Sequence, residues 1–144
     1  MKTTIRLVSL FLMFIFGISC KAQLMQTLND ADKIQSNKEY YVGKPLSVLL
    51  KDIKPKIITY SPLPDATATK TAGLSLLFES YPNHLRKTSD IKRGKDGPAV
   101  IGVYFTDIGA VHNIIKNRRG QWTQGLSDSL SNLIIKRVHA YGKN

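Results

Sequence analysis

A chain of 144 residues with 42% apolar content is long enough for one packed domain and too short for two of ordinary size. Its single cysteine excludes an internal disulfide framework, so stability has to come from burial. The formal net charge of +11 favours anionic partners, whether lipid headgroups, acidic polysaccharide, nucleic acid or an acidic protein, and does not by itself choose among them.

The opening residues carry an address. Lys2 and Arg6 precede an unbroken apolar run from Leu7 to Phe16. That run falls well short of the ~20 apolar residues a bilayer span needs. It also lacks the polar face of a globular helix. A basic start followed by a short apolar core is the pattern of a secretory signal peptide. Directly behind it, Gly17-Ile18-Ser19-Cys20 resembles the lipobox of bacterial lipoproteins, with a small residue just before the cysteine. Gly17 stands where that family usually carries Leu or another bulky apolar residue. The resemblance covers residues 1–20 only. It implies removal of residues 1–19, lipidation of Cys20 and attachment to the membrane of the cell envelope. The alternative is cleavage after Ala22, with Cys20-Lys21-Ala22 as the small-x-small site and a free exported chain as the product. The position of the sole cysteine at the end of the apolar run favours lipidation. Without residues 1–19 the chain keeps 125 residues, and loss of Lys2 and Arg6 lowers the net charge from +11 to +9. For an exported chain, intracellular nucleic acid is the least available of the anionic partners.

Residues 20–38 are polar, with Leu24, Met25, Leu28 and Ile34 at loosely helical spacing, and read as a tether or frayed helix before a single domain at 39–144. Asp30 and Asp32 open like a calcium loop, but Ile34, Gln35 and Tyr41 occupy the places of the next oxygen ligand, the glycine and the closing glutamate. Leu46, Leu49, Leu50 and Ile53 form one helical stripe behind Pro45, and Pro55 stops it, which predicts a helix over about 45–53. Residues 56–60 are β-branched and aromatic and predict a strand stopped by Ser61-Pro62-Leu63-Pro64. A loop at 65–72, a strand at 74–80 and a long polar loop at 84–97 follow. Residues 98–106 are apolar on both faces and predict a central strand. Val111, Asn113 and Ile115 alternate as a strand does, whereas Asp107 could cap a helix ended by Gly120; the crowding of Val and Ile favours the strand. After a turn at 117–120, Trp122 is placed to roof the core. Leu126, Leu130, Leu133, Ile134 and Val138 predict a closing helix, started at Ser127 or Asp128 and followed by Gly142. Together these elements predict an α+β fold: an antiparallel sheet of three to four strands, with a short N-terminal helix and a C-terminal helix packed on one face.

The sequence offers no catalytic or metal constellation and implies no cofactor. Gly73-Leu74-Ser75-Leu76-Leu77 lacks the closing glycine of a nucleophile elbow. Gly94-Lys95 ends like a phosphate loop, yet Ser89 replaces its first glycine and Asp96 its Ser or Thr. His84, His112 and His139 have no metal-ligand spacing. An acid–base site would have to assemble His84, His112, Asp107 and Ser75 from separate elements. The one stretch with binding character is basic: Arg86, Lys87, Lys92, Arg93 and Lys95 could contact an anion, with Arg118 and Arg119 extending the surface. A solvated loop that keeps the protein dispersed is the plainer reading of the same charges. Few aromatics interleave them, which argues against a base-stacking nucleic-acid platform. The sequence therefore reads as an exported, lipid-anchored, non-catalytic binding or accessory module, contacting the membrane through Cys20 and an acidic protein, a polysaccharide or the membrane surface through its positive charge. The alternatives are a small secreted hydrolase and an inhibitor of a secreted enzyme.

Overall fold

Alternation along three strands builds the core. In the computed structural model, which describes residues 23–91 and 97–142 and all their side chains except those of 89–91, β2 (Thr71–Leu77) and β3 (Val100–Phe105) pair antiparallel. Leu74 lies opposite Val103 and Leu76 opposite Ile101. On the far side of β3, β5 (Ile135–Tyr141) sets Val138 opposite Val103 and Ala140 opposite Ile101. Side chains in register share a face, and all of these are buried. Outside β2, β1 (Thr59–Pro64) pairs antiparallel, and the two-residue β4 (Gly120–Gln121) pairs with Thr59 and Tyr60. The result is an antiparallel sheet of five strands, in the order β4-β1-β2-β3-β5, where three to four were expected. The α+β class is as expected.

Short helices cover the apolar face. α1 (Ala31–Ser36), α2 (Lys38–Tyr41) and α3 (Leu46–Lys51) contribute Ala31, Ile34, Tyr41, Leu46 and Leu49, all without solvent exposure. Met25, fully buried, bridges to Ile53. Residues 23–38, read from sequence as a tether or frayed helix, thus include part of the core. With the turn after α2 they also close the outer edge of β5: Gln35 Oε1 accepts the N–H of Ala140 at 2.8 Å, Gly43 N–H donates to the Ile135 carbonyl, and Ile135 N–H donates to the Lys44 carbonyl. Asp30 belongs to this packing and not to a calcium loop. Its carboxylate pairs with Lys33 at 2.7 Å and accepts the N–H of Thr27, which together hold its pKa down to about 2.

Four expectations are corrected. β1 runs through Ser61-Pro62-Leu63-Pro64 instead of ending there. Beyond Tyr60 it is an edge strand, the setting in which proline is tolerated and in which it blunts pairing with other chains. The polar loop expected from His84 is helical to Ile91: α4 (Tyr81–Ile91) has Pro82 in its first turn, where a missing N–H is harmless. The strand favoured at 110–116 lies in α5 (Ile108–Ile115), because Asp107 Oδ1 caps the N–H of Ala110 at 2.8 Å and Val111 and Ile115 enter the core one turn apart. Its end comes at Lys116 and Asn117, both in the left-handed region, and not at Gly120. Finally, the closing helix is two elements. α6 (Gln124–Leu130), capped by Thr123, gives way to β5, since β3 has a second edge to be paired and the β-branched Ile134-Ile135 suit a strand. The readings of residues 1–22, Cys20 included, and of Lys92, Arg93 and Lys95 lie outside the described residues.

If residues 23–38 share the core's cooperativity, Ile34→Ala should lower unfolding free energy by about 2–5 kcal/mol in urea titrations. A loss within about 0.5 kcal/mol, the range of surface changes, would mean that the segment is not part of the cooperative unit.

Candidate anion-binding groove

Two bulges shape one end of the sheet. Between β1 and β2 the register passes from Leu63–Gly73 to Pro64–Thr71, leaving Ala72 as the extra residue. Between β3 and β5 it passes from Tyr104–Arg137 to Phe105–Ile135, leaving Lys136 as the extra one. Strict alternation would turn one of two successive residues towards the core. The bulge lets both Lys136 and Arg137 stay exposed between buried Ile135 and Val138. Next to the first bulge the backbones come so close that a Cβ on Gly73 would collide with the Val103 carbonyl.

These ends surround a groove of about 680 Å³. Lys38, Glu39 and Val42 form the wall on the α2 side, Lys136, Arg137 and His139 the β5 wall, and Tyr104 and Phe105 part of the lining, with Pro64–Ala66 opposite. Arg137 and Tyr104 are direct cross-strand partners, and the guanidinium carbon lies 4.3 Å from the ring centroid. His139, two residues on along the same face, meets that ring edge-on at 6.3 Å. A shallower depression of about 470 Å³ shares Tyr104 and His139 and continues over Ser75 and Gly102, small cross-strand partners that leave the outer face low.

Among the described residues, none of Lys38, Lys136 and Arg137 makes an ion pair. Two acids share the groove, but Asp65 is committed to its own turn. Its partial burial works to raise its pKa, and hydrogen bonds from Thr67, Lys70 and Thr69 outweigh this and hold the carboxylate below its ordinary range. His139 reports the local field. Its pKa is lowered first by burial and then by the charges of Arg137 and Lys38. An imidazole whose protonation is opposed by nearby cations, themselves without ion pairs among the described residues, is a setting that an anion would relieve.

The residues singled out in the sequence fall elsewhere. Arg86 is exposed on α4, which leaves β2 at the end opposite the groove. Lys87 pairs with Glu79 at 2.9 Å. Arg119 lies 4.0 Å over the Tyr81 ring, so the turn after α5 does join the start of α4. The candidate acid–base residues are engaged separately. Nδ1 of His112 accepts the N–H of Thr71 at 3.2 Å, while Thr71 also bonds Asn117, clamping α5 to β2. Asp107 caps α5, and Ser75 faces the outer depression. Nδ1 of His84 stands 3.7 Å from Oε1 of Glu79, beyond hydrogen-bond reach, and both atoms are buried without a partner. Among the described residues, no group of three or more His, Cys, Asp or Glu is placed to hold a metal, and no helix is long and apolar enough to cross a membrane.

Sequence reasoning missed Lys38, Lys136 and Arg137 as a group. As part of a helix, Lys136 and Arg137 only complement a dipole; the strand and its bulge give them a shared outward direction. The available signal was the pattern Ile135, Val138, Ala140 beside the β-branched pair Ile134-Ile135. The chain matches no family model, no curated protein and no solved structure.

Burial lowers the pKa of both His84 and His139, with the coulombic pull of Glu79 opposing it at His84. The unfolded chain, with histidines near ~6.5, therefore binds more protons than the folded one as pH falls. Stability is fully present above that pH and is lost below it. Thermal melts should show a lower midpoint at acidic than at neutral pH, with the decline beginning near pH ~6.5, above the carboxylate range. The His84→Gln/His139→Gln variant should flatten that decline, and an unchanged slope would acquit both residues.

Proposed function

We propose that the protein is exported, anchored by lipid at Cys20, and works at the cell envelope as a non-catalytic binding module for an anionic partner, with the bulged end of the sheet as its contact. The observation that carries this reading is the convergence of Lys38, Lys136 and Arg137 on one groove without ion pairs of their own among the described residues. Arg137, held over Tyr104, can offer its N–H groups to a phosphate, sulfate or carboxylate at two points. Lys38 and Lys136 add point charges around it. Arg86 and Lys87, on α4 and apart from the groove, broaden the positive field without sharing it.

The anchor reading is supported by the lipobox-like residues and by the place where packing begins. Met25, five residues beyond Cys20, is already buried. Five residues span at most ~18 Å, so a lipid on Cys20 would keep the domain close to the bilayer.

Three measurements test the reading. Intact mass of the protein recovered from cells should show diacylglycerol on Cys20; a chain starting at Gln23 would end the anchor claim. On immobilised dextran sulfate, Lys136→Gln/Arg137→Gln should elute at clearly lower salt than the parent, and Arg86→Gln/Lys87→Gln should shift it less. Equal elution of the first variant and the parent would remove the groove from the reading. In NMR titrations, saturating polyanion should raise the pKa of His139 by partly cancelling the field of Arg137 and Lys38; no change would place the anion elsewhere.

A further inference from the structure

We propose that the surface beside the groove, built from Tyr40, Val42 and Ile134 among lysines, is the face with which the protein lies on an anionic lipid bilayer; this rests on the anion-binding reading and names the partner. Tyr40 and Val42 are each 43% exposed and Ile134 38%. The backbone holds them together. Ile135 donates to the Lys44 carbonyl at 2.8 Å, Gly43 donates to the Ile135 carbonyl at 2.9 Å, and Pro45 bridges to Ile134. Val42 lines the same groove as Lys38 and Lys136, so apolar and cationic side chains share one surface. Nζ of Lys44 lies 3.0 Å from the centroid of the Tyr40 ring. An aromatic ring with a cation beside it suits the headgroup region, where an apolar body and a polar tip are both accommodated.

The apolar members favour a bilayer over a polysaccharide. A solvated polysaccharide offers charge and no apolar phase, which would leave Tyr40, Val42 and Ile134 exposed in the complex. A bilayer interface takes the apolar side chains at the headgroup boundary and attracts the lysines through its anionic lipids. Geometry agrees with an anchored chain. Met25, five residues beyond Cys20, is held against Ile53, just after α3, whose other end follows Lys44 and Pro45.

The test uses the full chain on vesicles of phosphatidylcholine with and without phosphatidylglycerol, so that any binding by the apolar residues 7–16 is common to both. Binding should be stronger with the anionic lipid, and Lys38→Gln/Lys44→Gln/Lys136→Gln should remove most of the excess. At about fivefold per lysine, the loss is on the order of a hundredfold at low salt. Circular dichroism melts of the variant confirm that it is folded. In a Cys20→Ser background, a nitroxide at Val42→Cys should become accessible to membrane-dissolved oxygen on anionic vesicles only, while one at Leu85→Cys on α4 stays aqueous. An aqueous Val42 label, or an anionic excess that survives loss of the lysines, overturns the assignment. Binding to dextran sulfate through Lys136 and Arg137 with no excess on anionic vesicles overturns the lipid partner and leaves the anion-binding reading standing. Failure on both surfaces removes the two together.

Discussion

β3 needs a partner on each edge, and that requirement organises the molecule. Its residues are apolar on both faces, so it cannot lie at the rim of the sheet without exposing both its side chains and a row of backbone donors and acceptors. β2 satisfies one edge by following the chain order. The other is satisfied from the far end of the sequence, by β5, after α5, β4 and α6 have crossed the structure. β5 then presents a new free edge, and the N-terminal segment closes it through Gln35, Gly43 and Lys44. The last strand and the first helices are thus tied to each other, and both ends of the chain are placed by the same need.

The basic groove follows from that arrangement. An edge strand that must be covered on one side and paired on the other has little freedom, and the bulge at Lys136 is where its register is adjusted. The adjustment turns two adjacent cations outward beside the end of α2, whose Lys38 points its charge into the same space. Tyr104, directly opposite Arg137 on β3, supplies a ring against which the guanidinium is ordered. The strand that completes the core therefore also positions the charges, and the geometry of this sheet end is over-determined by packing.

Much of this was legible where periodicity and composition agreed. The stripe Leu46, Leu49, Leu50, Ile53 is a helix because its spacing, its leading proline and its burial all point the same way. Residues 100–105 form an interior strand because a position paired on both edges suits them. The failures share a cause. Leu126 to Val138 fits a helical stripe over thirteen residues, and nothing local says that β3 lacks a partner; the tertiary need cut the segment in two. At 110–116 the β-branched residues spoke for a strand, and a single side-chain cap from Asp107 outweighed them. The polar N-terminal segment looked like a tether because its buried residues are sparse, yet Met25, Ala31 and Ile34 each fill the core completely. The site shared this fate. Lys38 lay in the supposed tether and Lys136 and Arg137 in the supposed helix, so no local reading could bring them together.

The charges in the groove are hard to account for by stability. Lys38, Lys136 and Arg137 line one groove without an ion pair among the described residues, and the charges of Arg137 and Lys38 act on His139 with the sign of repulsion between like charges. Elsewhere the protein spends acids to settle such charges: Asp30 holds Lys33, and Glu79 holds Lys87. In the groove, Asp65 is turned to its own loop, collecting hydrogen bonds from Thr67, Thr69 and Lys70. Next to these cations, Tyr40, Val42 and Ile134 remain exposed although the core lies just beneath, at Tyr41 and Ile135. Self-repulsion and exposed apolar surface are both unfavourable for an isolated chain, and they coincide on one face. A partner that is anionic and apolar in adjacent layers would relieve both at once, and this is the ground on which a lipid headgroup region is proposed.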